Sequence, residues 1–241
     1  MSADEDPAER GSDPDRRSRD VAPEHRWPAV GATLVALALY AVLPSAVPDP
    51  MRYTVVGICL AMLIPLVIIN PHRLQRETRW SRRLEIGLSL LILIANQVAI
   101  VTVVVLLLHK SAHGSTLLLA SLQVWITNVI AYALIYWGMD RGGPVSRVSV
   151  ARKKLPHADF RFPQDEDHDA VVEVASRSSV KMDWVPNFFD YCYFSLTNSM
   201  AFSATDTMPL SHRAKLLMAV EAFTGFVLLA LVIARAVSLI G

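Results

Sequence analysis

Few residues of this chain could do chemistry, and most of those stand alone in apolar surroundings. Glu221 is the one acid in the run Leu216 to Ile240, where Arg235 is the only other charge. An acid within an apolar span is a functional candidate by default, because hydrocarbon does not solvate it. It follows Arg213 and Lys215 by about two helical turns, so an interfacial and an interior position both stand open. Amides form a second group: Asn96 and Gln97 near the middle of one apolar block, Gln123, Thr127 and Asn128 near the middle of the next. Gln123 and Thr127, four apart, share a helix face. Hydrogen bonds between the two helices, worth about 1 kcal/mol each, account for these amides before a transport path does. A third group is the hydroxyl-rich stretch Ser203, Thr205 and Thr207 around the carboxylate Asp206. His109 and His113 have the spacing of a two-imidazole metal site, but no acid or cysteine stands near, and interfacial histidines are expected. The cluster Asp165, Glu166, Asp167, His168 and Asp169 matches no calcium loop and reads as a solvated charge run. No serine–histidine–acid motif, phosphate loop or nucleotide signature occurs. Neither enzymatic activity nor a metal or cofactor is therefore expected.

The elements that hold these residues follow from the apolar blocks. Hydrophobic residues make up 53% of 241 and charged residues 19%, with a mean hydropathy of +0.36. No charge occurs in Trp27 to Pro48, Tyr53 to Asn70, Ile86 to Leu108 or Ser111 to Met139. Each block is long enough to cross about 30 Å of hydrocarbon as a helix. In lipid each backbone polar group must be paired within its segment, so the blocks should be helical. The first block is longer than a signal-peptide core and follows 26 polar residues, so an uncleaved helix is expected. Cys59 and Cys192 lie in apolar stretches and suggest no disulfide framework. The net charge of +1 gives no reason to expect nucleic acid as a partner.

Orientation follows from the arginines. Arg73, Arg76, Arg79, Arg82 and Arg83 crowd one short connection, whereas Arg52 and Lys110 stand alone in the opposite ones. The positive-inside bias puts the N-terminus, the arginine connection and residues 140–185 in the cytoplasm. The expected organisation is a disordered polar tail over 1–26, a four-helix transmembrane region over 27–139, a cytoplasmic loop over 140–185 and a helical hairpin over 186–241. The loop is too short and polar to bury a core, and should lie against the helix ends; its VVEV could form a short strand.

The hairpin carries a resemblance. Phe188 to Ser195 is an aromatic-rich helical stretch. Ala201 to Asp206 follows it, then Pro209, and then a long apolar helix with Gly225 where a gating glycine could sit. This order resembles the pore helix, filter and inner helix of two-helix potassium channels. Such filters aim backbone carbonyls at the ion, and their alternating backbone needs glycine. Ser203 and Thr205 replace those glycines and Ala204 replaces the bracing aromatic, so potassium selectivity is not implied. The motifs DRGGP, DFRFPQ and FSATDTMPLSHRAKLL, in this order after four apolar blocks, also resemble a family of uncharacterised bacterial integral membrane proteins. That likeness runs from roughly Ser115 to Ile240 and implies membrane location and helix layout without an activity.

The expected fold class is all-α and polytopic. Four transmembrane helices lie near 28–48, 52–70, 85–109 and 115–138. A half-helix near 187–201 re-enters or partly spans, and a long helix near 210–239 starts at Pro209 with Thr205 to Thr207 as caps. The expected function is a channel-like or transport protein of the cell membrane, assembled as a homo-oligomer because one hairpin cannot enclose a path. The alternative is a structural or accessory membrane protein whose cytoplasmic loop binds a partner.

Overall fold

The computed structural model describes residues 22–43, 48–75, 77–108, 114–166, 184–200 and 206–240. Among them are seven α-helices: α1 Trp27–Ala41, α2 Asp49–Ile69, α3 Arg79–Leu108, α4 Gly114–Met139, α5 Pro144–Ser149, α6 Phe188–Ser199 and α7 His212–Ile240. Two residue pairs, β1 Phe160–Arg161 and β2 Met208–Pro209, join antiparallel. Four of the helices (α2, α3, α4 and α7) are long and apolar enough to cross a membrane. The α1 helix is shorter than expected. Its 15 residues reach about 22 Å, against the roughly 30 Å a span needs.

Local chemistry sets the helix ends. Thr78 and Ser81 cap α3 reciprocally, each side-chain oxygen accepting the other's backbone N–H. At the start of α6, Asn187 Oδ1 accepts the Phe189 N–H at 2.9 Å and the Asp190 carboxylate accepts the Asn187 N–H at 2.7 Å. The start of α7 corrects the sequence reading. Pro209 is not in the helix's first turn but lies in β2, opposite Phe160. Ser211 is the cap, its Oγ accepting the Ala214 N–H. The DRGGP motif ends α4 with three successive residues in the left-handed region: Arg141, Gly142 and Gly143, at φ 50°, 81° and 93°. A Cβ on Gly142 would come within 2.9 Å of Pro156, so this turn requires glycine on both counts.

One end of the bundle, here the arginine end, gathers the starts of α1, α3, α6 and α7 and the ends of α2 and α4. His25 bridges to Arg73, Trp137 of α4 donates to Glu24, Glu24 accepts the first N–H of α6, and Arg82 of α3 donates to the Gly142 carbonyl. The α4 helix is the hub, packed on α1, α3, α6 and α7. The segment Thr116–Ser149, which contains α4, is 61% buried over its apolar stretch, against 17% for α7, as suits a central helix.

Residues 140–166, expected as a polar loop lying against the helix ends, also place aromatic side chains between the helices. Phe160 and Phe162 are buried and wedge between α4 and α6. Phe160 lies 5.0 Å from Tyr136 and 4.9 Å from Phe194, ring centre to ring centre, and Phe162 lies 5.3 Å from Tyr191. Such contacts add about 0.5–1.5 kcal/mol each beyond area burial. The strand forms at DFRF; VVEV, with residues 1–21, His109 and His113, lies outside the described residues.

Candidate functional site: a buried acid among three helices

Glu221 sits nine residues into α7, about 14 Å along its axis, and is completely buried. It therefore faces neighbouring helices and not the outside of the bundle. Its Oε2 accepts from the Tyr136 hydroxyl of α4 at 2.7 Å and from Asn198 Nδ2 of α6 at 2.6 Å. Its Oε1 meets Ser195 Oγ, also of α6. Ser195 Oγ lies 2.9 Å from the Val129 carbonyl of α4, and Asn198 Nδ2 donates to the Met218 carbonyl of α7 at 3.1 Å. Three helices thus contribute four polar groups to one cage. The cage contains no cation among the described residues. Gly225, one turn further along α7, fixes how close α6 can come. A Cβ there would stand 2.2 Å from the Ser199 carbonyl oxygen. The residue in the position of a gating glycine is a close-packing glycine here.

The α6 helix runs from the arginine end, where Phe188 N–H donates to Glu24, to Ser199 beside Gly225. By Asp206 and Thr207 the chain precedes β2, which pairs at the arginine end with β1. Asp206 is exposed there and Thr207 is buried. Neither caps α7. Ser203 and Thr205 lie outside the described residues.

The amides form a separate group on α3 and α4. Asn128 Oδ1 accepts from Asn96 Nδ2 and from Gln97 Nε2, each at 3.0 Å, the interhelical pairing expected from hydrocarbon-buried amides. Gln123 makes no side-chain link to α3; Thr127, a turn later, donates its hydroxyl to the Gln123 carbonyl. Asn128, Tyr132 and Tyr136 of α4 and Asp140 just past its end recur every four residues and are each at most 1% exposed, so one stripe carries the amide, two phenols and, beyond the helix end, a carboxylate.

That stripe ends in a second polar cluster at the arginine end. Asp140 accepts from the Tyr191 hydroxyl at 2.6 Å and from the Asp159 N–H at 2.7 Å. Asp159 binds Arg213 through two bonds of 2.7 and 2.5 Å and accepts from Ser211 at 2.5 Å. Arg141 reaches Asp165 at 2.5 Å, which places that acid in an ion pair rather than a solvated run. Arg147 donates to the Trp137 carbonyl at 2.7 Å and lies over the Tyr191 ring. The three sequence motifs are therefore one structural unit: DRGGP supplies Asp140, DFRFPQ supplies Asp159 and is followed at once by Asp165, and TMPLSHR supplies β2, Ser211 and Arg213. Glu24, outside the spans, is pushed above the usual carboxylate range by burial, against the Trp137 and Phe188 donors and Arg147, which lower it.

Sequence reasoning found Glu221 and missed its cage. The i, i+4 recurrence of Tyr132, Tyr136 and Asp140 after Asn128 was a usable signal, as was Ser195 with Asn198 on one face of a short aromatic helix. Nothing in the spacing connects either to Glu221. In comparisons with known proteins, no family model, curated protein or solved structure matches this chain.

Proposed function

We propose that this is a transport-type membrane protein whose working module is the α6–α7 hairpin, with α6 entering the membrane from the cytoplasmic side and returning to it. The observation that carries the proposal is Glu221, an intramembrane acid held wholly by neutral groups from α4 and α6. Acids within spans mark ion or proton pathways more often than plain packing. The likeness to channel pore modules belongs to this proposal: a short aromatic helix, a return segment and a long helix follow in the same order. Asp206, exposed at the arginine end, becomes the acid at the pathway mouth. The proposal includes a homo-oligomer, because one hairpin cannot enclose a path; the exposed face of α7, with Leu216, Val220, Phe223 and Phe226, is where copies would meet.

The test is flux into liposomes holding the purified protein, under separate proton, sodium and potassium gradients. Asp206→Asn should reduce cation flux while moving stability by no more than about 0.5 kcal/mol, as for other exposed positions. Wild-type flux equal to that of protein-free vesicles under all three gradients rejects the proposal. The accessory function would then take its place, favoured by the Asp140–Asp159–Arg213 cluster, a rigid platform at the cytoplasmic end suited to a protein partner.

A further inference from the structure

The hydrogen count around Ser195 has a consequence for Glu221. Ser195 Oγ lies within hydrogen-bond reach of two oxygens, the Val129 carbonyl at 2.9 Å and Glu221 Oε1. A serine hydroxyl has one hydrogen, and a carbonyl can only accept. If Ser195 donates to Glu221, two oxygens face each other at 2.9 Å with no hydrogen between them. If Ser195 donates to Val129, Glu221 must bring its own hydrogen. The other carboxyl oxygen is already accounted for, because Tyr136 and Asn198 both donate to Oε2. The Asn198 amide cannot be turned round without loss, since its Nδ2 also serves the Met218 carbonyl. One arrangement satisfies every contact: a proton on Oε1, given to Ser195, whose own hydrogen goes to Val129.

We infer that Glu221 is a neutral carboxylic acid and that its cage is a one-proton binding site within the membrane. The surroundings agree. The titratable groups facing Glu221 are Tyr132 and Tyr136 of α4. Residues 86–108 of α3 contain no titratable side chain. On α6, Tyr191 is turned to Asp140. On α7 itself, Arg213 is committed to Asp159 and Lys215 is exposed. A carboxylate here would have no counter-ion, an arrangement that costs several kcal/mol in an apolar interior. When the proton leaves, Ser195 must turn its one hydrogen to Glu221 and the Val129 carbonyl of α4 loses its donor, so loss of the proton loosens α6 from α4. Within the transport proposal, the proton then becomes the ion whose binding and release move the hairpin; the site itself does not depend on that proposal.

The experiment is infrared spectroscopy of the purified protein at neutral pH. Wild type should show the C=O stretch of a neutral carboxylic acid that shifts with isotope-labelled glutamate and disappears in Glu221→Gln. Glutamine fits the same cage, its NH2 donating to Ser195 and its C=O accepting from Tyr136 and Asn198, so the variant should melt within about 2 °C of wild type. Ser195→Ala should move the band to higher frequency by removing the acceptor of its O–H. A neutral-acid band unchanged in both variants, or no such band, overturns the inference. If Glu221→Gln fails to fold, the isotope-labelled wild type and Ser195→Ala still decide. A band without flux keeps the proton site and removes transport, and flux without the band does the reverse.

Discussion

Gly225→Ala is the most direct test of how the hairpin is held. Taken by itself, alanine in place of a helical glycine should stabilise by about 1 kcal/mol. The structure reverses the sign. The new Cβ would stand 2.2 Å from the Ser199 oxygen and 3.1 Å from its carbonyl carbon. Both are backbone atoms, so no rotamer change relieves the contact. The end of α6 has to retreat by about 1 Å to reach ordinary van der Waals separation. Overpacking of this kind costs about 1–3 kcal/mol. Ser195 and Asn198 move with Ser199, so their bonds to Glu221 lengthen as well. The net expectation is a loss of about 1 kcal/mol after the propensity gain, or about 2–4 °C in melting temperature for a chain of this size. Thermal unfolding in detergent, followed by intrinsic tryptophan fluorescence, measures it. Gly31→Ala and Gly57→Ala are the controls, because a Cβ at either meets nothing within 4 Å. These should be neutral or stabilising. If Gly225→Ala behaves like the controls, α6 does not pack against α7 as described.

Three further outcomes are expected. Tyr136→Phe removes one of two donors on Glu221 Oε2 and should cost about 1 kcal/mol, read in the same assay, with a change of less than a few tenths counting against the cage. Glu24→Gln turns an amide N–H toward either Trp137 or Phe188, both donors, and should cost about 1–2 kcal/mol. Burial raises the Glu24 carboxyl above its ordinary 4.5, so the folded state binds that proton more tightly than the unfolded one. The advantage of wild type over Glu24→Gln should therefore be largest in acid and shrink as pH rises from about 4.5; growth of the advantage toward neutral pH refutes the sign. Finally, with Cys59 and Cys192 replaced, Arg79→Cys and Asp206→Cys should both resist an impermeant thiol reagent in intact cells, while Met51→Cys should react, and opposite behaviour at 79 and 206 would sink the re-entrant course of α6.

How much of this was legible in the sequence depends on which physical term decides each feature. Long uncharged blocks announced α2, α3 and α4, because hydrocarbon thickness and backbone pairing leave one solution. The α1 block looked equally long, but Pro48 and Pro50 belong to the start of α2, and the helix stops at Ala41. The Asn96–Asn128 pairing was also readable, since an amide in lipid must find a partner on the next helix. The inward turn of Phe160 and Phe162 was not. DFRFPQ alternates aromatic with charged residues and reads as surface, and only the antiparallel pairing with Met208–Pro209 makes a buried place for it. That pairing joins residues about 50 positions apart, and no local pattern encodes it.

The α6 helix differs from its neighbours in what keeps it in place. Twelve residues make about 18 Å of helix, too little to cross hydrocarbon, and one face carries Ser195 and Asn198. It cannot be stable in lipid before α4 and α7 are there to pair those groups. Its position rests on polar contacts at two points, Glu24 at its start and Glu221 near its end. Apolar residues of similar volume would pack such a hairpin as well or better, since buried polar clusters are commonly neutral or unfavourable against apolar replacements. A purely structural hairpin gains nothing from a carboxyl at position 221. A hairpin whose docking must respond to a proton needs one there, where Tyr136 holds the acid from α4 and its two other partners, Ser195 and Asn198, belong to α6.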